Sequence, residues 1–331
     1  MSKNFPINRL RRNRSAAWIR EMLTENRLHA SNLILPLFVI EGENIVQEIS
    51  HLPGVNRLSI DLIVEKAQQA WSLGIPAVML FPVIEQKLKN DNGSEAWNAN
   101  NLMCRAIAAI KKHVPEIGVI CDVALDPYTA HGHDGVVDAN GFVLNDETVE
   151  LLCKQAVVQA KAGADVISPS DMMDGRVLLI RAALDLAGFS HVAIMSYAAK
   201  YASNFYGPFR HAVGSAGNLK SADKKTYQMD FRNSREAMRE IKQDVVEGAD
   251  MLIVKPAGAY LDIISNASRE IDLPIIAYQV SGEYAMLKFA AQNGALDFMA
   301  AMCESLLACK RAGSSAIITY AAVEVAQGLL E

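Results

Sequence analysis

The chain has 331 residues, 51% hydrophobic and 21% charged, with a formal net charge of −5. That length suits one large α/β domain or two small ones, and the acidic balance argues against nucleic acid as a partner. No apolar run is long enough to span a bilayer, so no membrane partner is expected.

Residues 1–30 are polar apart from a stripe of Leu10, Trp18, Ile19, Met22 and Leu23. They read as an N-terminal arm that cannot bury its stripe at home and can bury it on a neighbouring subunit. The basic run Arg9-Leu-Arg-Arg-Asn-Arg14 is not followed by an apolar segment of signal-peptide length before Asn32. The five cysteines are odd in number, scattered and free of any CxxC spacing, as in a reduced compartment. The expected location is the cytoplasm.

From residue 31 to 331 a rhythm sets in. Short apolar or β-branched runs predict strands at Leu33–Ile40, Ala77–Pro82, Gly118–Leu125, Asp165–Ser168, Val192–Tyr197, Met251–Lys255, Ile275–Val280 and Ala316–Tyr320. Between them apolar residues recur at helical spacing, over Ile60–Leu73, Leu102–His113, Thr148–Ala162, Val177–Ala187 and Ser234–Val246. Gly163, Gly248 and Gly313 each stand where a helix must stop and the next strand begin, as left-handed caps do. Eight strands alternating with helices predict a single α/β domain, a (β/α)8 TIM barrel. An open doubly wound sheet is the alternative, but no glycine-rich phosphate fingerprint follows the first strand.

In such a barrel the active site gathers at the C-terminal ends of the strands. Those ends carry Asp122 and Asp126, then Ser168, Ser170 and Asp171, Lys200, Lys255, Ser281 with Glu283, and Tyr320. Lys200 and Lys255 each follow an apolar strand. A lysine desolvated there loses its proton readily, and the neutral amine forms Schiff bases with ketones. The plain alternative is that each amine snorkels or pairs with a carboxylate. The long connection from Tyr201 to about Arg232 reads as a lid. It carries Arg210, placed to fork a carboxylate, and Lys220, Lys224 and Lys225, of which Lys220 and Lys225 read as solvated. His131 and His133 form an HxH in a loop, read as solvent-facing, with oxygen-ligand binding of a divalent cation by the neighbouring aspartates left open.

Several segments are long and specific. They are Asp122-Val-Ala-Leu-Asp-Pro-Tyr-Thr-Ala-His-Gly-His-Asp-Gly135, Pro169-Ser-Asp-Met-Met-Asp-Gly-Arg176 and Lys200-Tyr-Ala-Ser-Asn-Phe-Tyr-Gly-Pro-Phe-Arg210. Thr226-Tyr-Gln-Met-Asp230, Val254-Lys-Pro256 and Tyr278-Gln-Val-Ser-Gly-Glu-Tyr-Ala-Met286 join them. With these the chain resembles the porphobilinogen synthase (5-aminolevulinate dehydratase) family of tetrapyrrole and heme biosynthesis.

The resemblance implies condensation of two 5-aminolevulinate molecules into porphobilinogen with loss of two waters. It places the P-site Schiff base on Lys255 and the A-site one on Lys200. It assigns Ser281 and Tyr320 to the P-site carboxylate, and Arg210, Lys224 and Gln228 to the A-site one. Ser168 and Ser170 are counted with the substrate-binding groups. Asp122 and Asp126 are candidates for proton transfer or for orienting the A-site amine.

Zinc-requiring members carry three cysteines at places that fall on Ala124, Asp126 and Asp134, so the chain looks like the Asp-rich branch that dispenses with catalytic zinc. The family's allosteric Mg²⁺ glutamate falls on Glu240; a monovalent cation is left open. The family forms octamers, with hexamers in some members, through arm exchange. A class I aldolase would need only one lysine, together with a phosphate nest that this sequence lacks. A barrel kept only for binding would be expected to have lost the lysines.

Overall fold

The computed structural model describes residues 8–213 and 223–330. Ten strands form one sheet: β1 (Leu33–Ile40), β2 (Val46–Glu48), β3 (Asn56–Ser59), β4 (Ala77–Pro82), β5 (Gly118–Val123), β6 (Val166–Pro169), β7 (Ala193–Lys200), β8 (Met251–Lys255), β9 (Ile275–Tyr278) and β10 (Ala316–Ile318). Strands β1 and β4 to β10 pair in parallel with their sequence neighbours. Leu33 and Ile34 of β1 then pair with Ile317 and Ile318 of β10, which closes the barrel.

All eight residues of β1 are buried, because helices cover its outer face and the barrel interior its inner face. The helices are α1 (Ala17–Met22), α2 (Ile60–Ser72), α3 (Leu102–His113), α4 (Asn145–Ala162), α5 (Arg176–Leu186), α6 (Gly207–Ala212), α7 (Arg235–Val246), α8 (Leu261–Glu270), α9 (Ser281–Gln292), α10 (Phe298–Ala312) and α11 (Ala322–Gly328). Gly163 and Gly313 end α4 and α10 at φ 108° and 111°, a left-handed backbone that side chains with a Cβ resist.

The predicted strands are all present, with ends that differ for local reasons. The third stops at Val123 because the Leu125 N–H leaves the ladder to donate to the Asp134 carbonyl (3.1 Å). The fifth runs on to Lys200 through a register shift between Ser196 and Ala199, a bulge that hides the strand period. The antiparallel pair β2–β3 has no sequence signal; the three residues of β2 are exposed and carry no alternation to read.

In the arm, α1 leaves Trp18 67% and Met22 64% exposed, and Leu10 is 79% exposed. Among the described residues no helix is long and apolar enough to cross a membrane. All five cysteines are free thiols.

Candidate active site

Lys200 and Lys255 are direct partners across the parallel pair β7–β8. Side chains of paired residues leave a sheet on the same face, here from strands about 4.8 Å apart. Both are buried. Their amines flank one ring, with Lys255 Nζ 5.1 Å and Lys200 Nζ 5.8 Å from the centroid of Tyr197. Three more rings enclose Lys255 Nζ: Tyr278 at 4.4 Å, Phe209 at 4.9 Å and Tyr206 at 5.1 Å. Burial in that cage, followed by the charge of Lys200, lowers the Lys255 ammonium from its ordinary 10.5 to about 7.

Lys200 has a polar environment instead. It donates to the Ser170 carbonyl and pairs with Asp134 Oδ2 at 3.4 Å. Asp134 is shared: its Oδ1 accepts from Lys224 Nζ at 2.6 Å, and Lys224 also reaches Asp126 Oδ2 at 3.0 Å. Burial alone would push the Asp134 carboxyl up, but Lys200 and Lys224 outweigh it and hold the group at about 2. Burial likewise works against the Lys224 ammonium, and Asp126 and Asp134 more than restore it. Asp122, at the end of β5, is pushed up to about 7 by burial and by Asp126, against the pull of Lys200 and Lys255. The surroundings thus push the carboxyls of Asp122 and Asp134 in opposite directions, and likewise the amines of Lys255 and Lys224, the pattern that marks acid–base sites.

The lid base sits over this mouth. Met229 N–H donates to the Lys200 carbonyl (3.0 Å) and Tyr206 Oη to that of Lys255 (3.2 Å). The HxH loop is packed rather than solvated. His133 is buried with Nδ1 3.2 Å from Tyr227 Oη, and His131 Nε2 lies 3.1 Å from the Asp91 carbonyl. Asp126 and Asp134 both pair with the Lys224 ammonium, and Asp134 with that of Lys200 as well; among the described residues no group of three or more His, Cys, Asp or Glu is placed to hold a metal ion.

Residues 7–328 match the model of the family described as Delta-aminolevulinic acid dehydratase. The chain belongs to that family. The delta-aminolevulinic acid dehydratase of Bradyrhizobium diazoefficiens is 56% identical over 321 residues, which is 97% of this chain and 90% of that protein. That of Bacillus subtilis is 48% identical over 331 residues, covering the whole of both. The crystal structure of delta-aminolevulinic acid dehydratase (porphobilinogen synthase) from Toxoplasma gondii, in complex with the reaction product porphobilinogen, has a TM-score of 0.95. It is 48% identical, with 97% of this chain and 91% of that one covered.

The other residues that the dehydratase resemblance singles out fall around the same mouth or beside it. Tyr320 Oη lies 3.5 Å from Tyr278 Oη, and Ser281 Oγ accepts from the Phe209 N–H at 2.9 Å. Arg210 is half-buried on α6, near enough to act electrostatically on Tyr206, and has no ion-pair partner among the described residues. Gln228 is buried with Oε1 unpartnered. Ser168 Oγ bonds the Met195 carbonyl on the next strand (2.6 Å), while Ser170 supplies the carbonyl that holds Lys200. Glu240 is apart, on α7, lining a cavity of about 330 Å³ with Asp174, Glu236 and Gln228. Lys220 lies outside the described residues.

Two parts of the site are invisible in the sequence. Asp134 reads there only as a loop neighbour, although it is the carboxylate on which both Lys200 and Lys224 converge. The aromatic cage takes its rings from β7, the turn before α6, α6 itself and β9, so no local spacing announces it. Glu283, expected among the mouth groups, turns its carboxylate to the backbone instead.

Proposed function

We propose that this chain captures two 5-aminolevulinate molecules as Schiff bases, one on Lys255 and one on Lys200, and joins them into porphobilinogen. Family membership makes it a 5-aminolevulinate dehydratase, a lyase of porphyrin and heme biosynthesis; the residue roles are the proposal. The observation that carries them is the in-register pair of buried lysines against one tyrosine ring, one of them titrating at about 7.

A neutral amine adds to a ketone, and expulsion of one water leaves an imine. Two imines account for the two waters lost. A protonated imine drains electrons from the adjacent C–H, making that carbon a nucleophile, and its own carbon is an electrophile. The nucleophilic carbon of one substrate adds to the imine carbon of the other, whose bond to lysine breaks as the attacking carbon gives up its second proton. The amine of that second substrate then attacks the remaining imine carbon and expels the other lysine, and loss of one more C–H proton makes the ring aromatic. Holding both ketones in place is worth ~7–11 kcal/mol.

Asp122, at about 7, is suited to carry the protons, with Asp126 beside it. Arg210, Lys224 and Gln228 take one substrate carboxylate, Ser281 and Tyr320 the other. Lys224 then exchanges Asp126 and Asp134 for substrate, and the buried Gln228 turns its amide N–H₂ to the same carboxylate as a donor.

Thiolate zinc does not fit this cavity. Asp122, Asp126 and Asp134 line it, and the buried Cys121 thiol is pushed well above its ordinary range by desolvation. This supports the Asp-rich, zinc-independent branch. A single carboxylate, Glu240, would hold Mg²⁺ mainly through the ion's own waters, at a distance from the chemistry. The exposed stripe of the arm supports assembly with other copies, as octamers or hexamers.

Borohydride reduction in the presence of 5-aminolevulinate tests the central role. Wild type is expected to trap substrate on Lys255, and Lys255→Met to lose both trapping and turnover. Trapping at wild-type yield in Lys255→Met would sink the assignment.

A further inference from the structure

We infer that Glu283 is a positioning residue for Lys255, fixing the strand end from which that amine projects without touching substrate. Lys255 is the last residue of β8. Its side chain sits among four rings, and among the described residues its amine has no hydrogen-bond or ion-pair partner, so the path of its own backbone sets where the amine stands.

That path is held from outside the cavity. The Glu283 carboxylate, buried in the first turn of α9, accepts three backbone N–H groups. Two belong to the segment leaving Lys255: Gly258 donates to Oε1 at 2.5 Å and Ala257 to Oε2 at 3.4 Å. The third, Val280, donates to Oε2 at 2.7 Å from the N-cap of the helix that carries Glu283. Among the described residues no cation pairs with Glu283, so its acceptor capacity is directed at backbone. A Cβ on Gly258 would stand 2.7 Å from Oε1, which makes glycine the residue that permits the approach.

The same helical turn receives the lid. Ser281 accepts from Phe209, and a Cβ on Gly282 would lie 2.5 Å from the Phe205 carbonyl oxygen. One turn therefore fixes two things at once: the backbone beyond Lys255, and the helix that supplies the Phe209 ring over its amine. Tyr278, the ring nearest Nζ, lies two residues before Val280. Loss of the carboxylate frees the strand end and opens the cage. A displacement of about 1 Å at a reacting group can cost ~100-fold in rate.

The inference rests on the Schiff-base reading, and its test is built to separate the two. In the full chain, Glu283→Gln keeps the side-chain shape but sets an amide N–H₂ or a weaker acceptor against those donors. Labelling of Lys255 by fluorodinitrobenzene across pH, read by peptide mass spectrometry, reports the amine without any substrate. Groups that face Lys255 are Lys200 on β7, Asp122 on β5, Asp126 and Asp134 in the loop after it, and the phenols of Tyr197, Tyr206 and Tyr278. All remain in the variant.

With water admitted to the cage, the half-labelling pH is expected to rise by about one unit or more. Turnover is expected to fall about 10- to 100-fold in kcat, with KM for 5-aminolevulinate changed less than about 3-fold. Gly258→Ala, which pushes the same contact from its other side, is expected to shift the labelling curve in the same direction. A folded Glu283→Gln with wild-type labelling and kcat overturns the inference. So does loss of cooperative melting in both variants, which would make Glu283 a residue of stability alone. Wild type that labels near pH 7 yet is never trapped with substrate would instead sink the Schiff-base reading.

Discussion

Lys255 titrates near neutrality because its ammonium has four aromatic rings and a second lysine where water would be. The amine gains nucleophilic character as the pH passes about 7, so the rate of borohydride trapping is expected to climb through that pH. Stability carries the same signature. Between about 7 and 10.5 the unfolded chain binds a proton that the folded chain lacks, so rising pH favours the fold over that window. Below it, the folded protein holds a buried cation at a cost on the order of several kcal/mol. Lys255→Met is therefore expected to melt higher than wild type, by more at pH 6 than at pH 9. An equal difference at both pH values in paired thermal melts would contradict desolvation of the ammonium as the cause.

The strand ends stay rigid through a second buried group. Arg176, at the start of α5, donates to both Asp244 oxygens (3.2 and 3.1 Å), to Ser196 Oγ (3.1 Å), and to the carbonyls of Met173 (3.2 Å) and Tyr197 (3.2 Å). It thereby joins α7 to β7, the strand that carries Tyr197 and Lys200. Its Nε stands 3.7 Å from Asp171, whose carboxyl burial pushes up to about 6 against the pull of that same guanidinium. Arg176→Ala would strand Asp244 and Asp171 without a counter-charge, at ~3–5 kcal/mol. Denaturant unfolding checks the loss; a midpoint unchanged from wild type would remove Arg176 from the framework.

At the scale of the molecule, α7 presents Glu240 to the lid-side cavity while Asp244, one turn on, anchors in the core. Glu240 lies close enough to Arg176 for the two charges to act on each other. Activity is expected to persist with a zinc-selective chelator and to rise with Mg²⁺, and Glu240→Ala to lose the Mg²⁺ response while keeping basal turnover. Activity abolished by the chelator and restored by zinc alone would reverse the metal reading. Removal of residues 1–30, with the stripe of Leu10, Trp18 and Met22, is expected to lower the assembled mass in sedimentation. An unchanged mass would show that the arm does not hold copies together.

Repetition in the sequence made the barrel legible. Each β/α unit announces itself locally, by a short apolar run, a helical period and a glycine such as Gly163 or Gly313 at the turn. The two buried lysines, Lys200 and Lys255, were legible for the same reason, since a cation at the end of an apolar strand is a local contradiction. The burial of His133 and the pairing of Asp134 are not legible in the sequence because their partners, Tyr227, Lys200 and Lys224, lie 66 to 94 residues away. Likewise the four-ring cage, the Arg176 clamp and the Glu283 contact join separate units of the barrel. Local sequence therefore determined which elements form and which groups stand at their ends. Only closure of the barrel decided which of those groups meet, because burial and charge depend on neighbours that lie far apart along the chain.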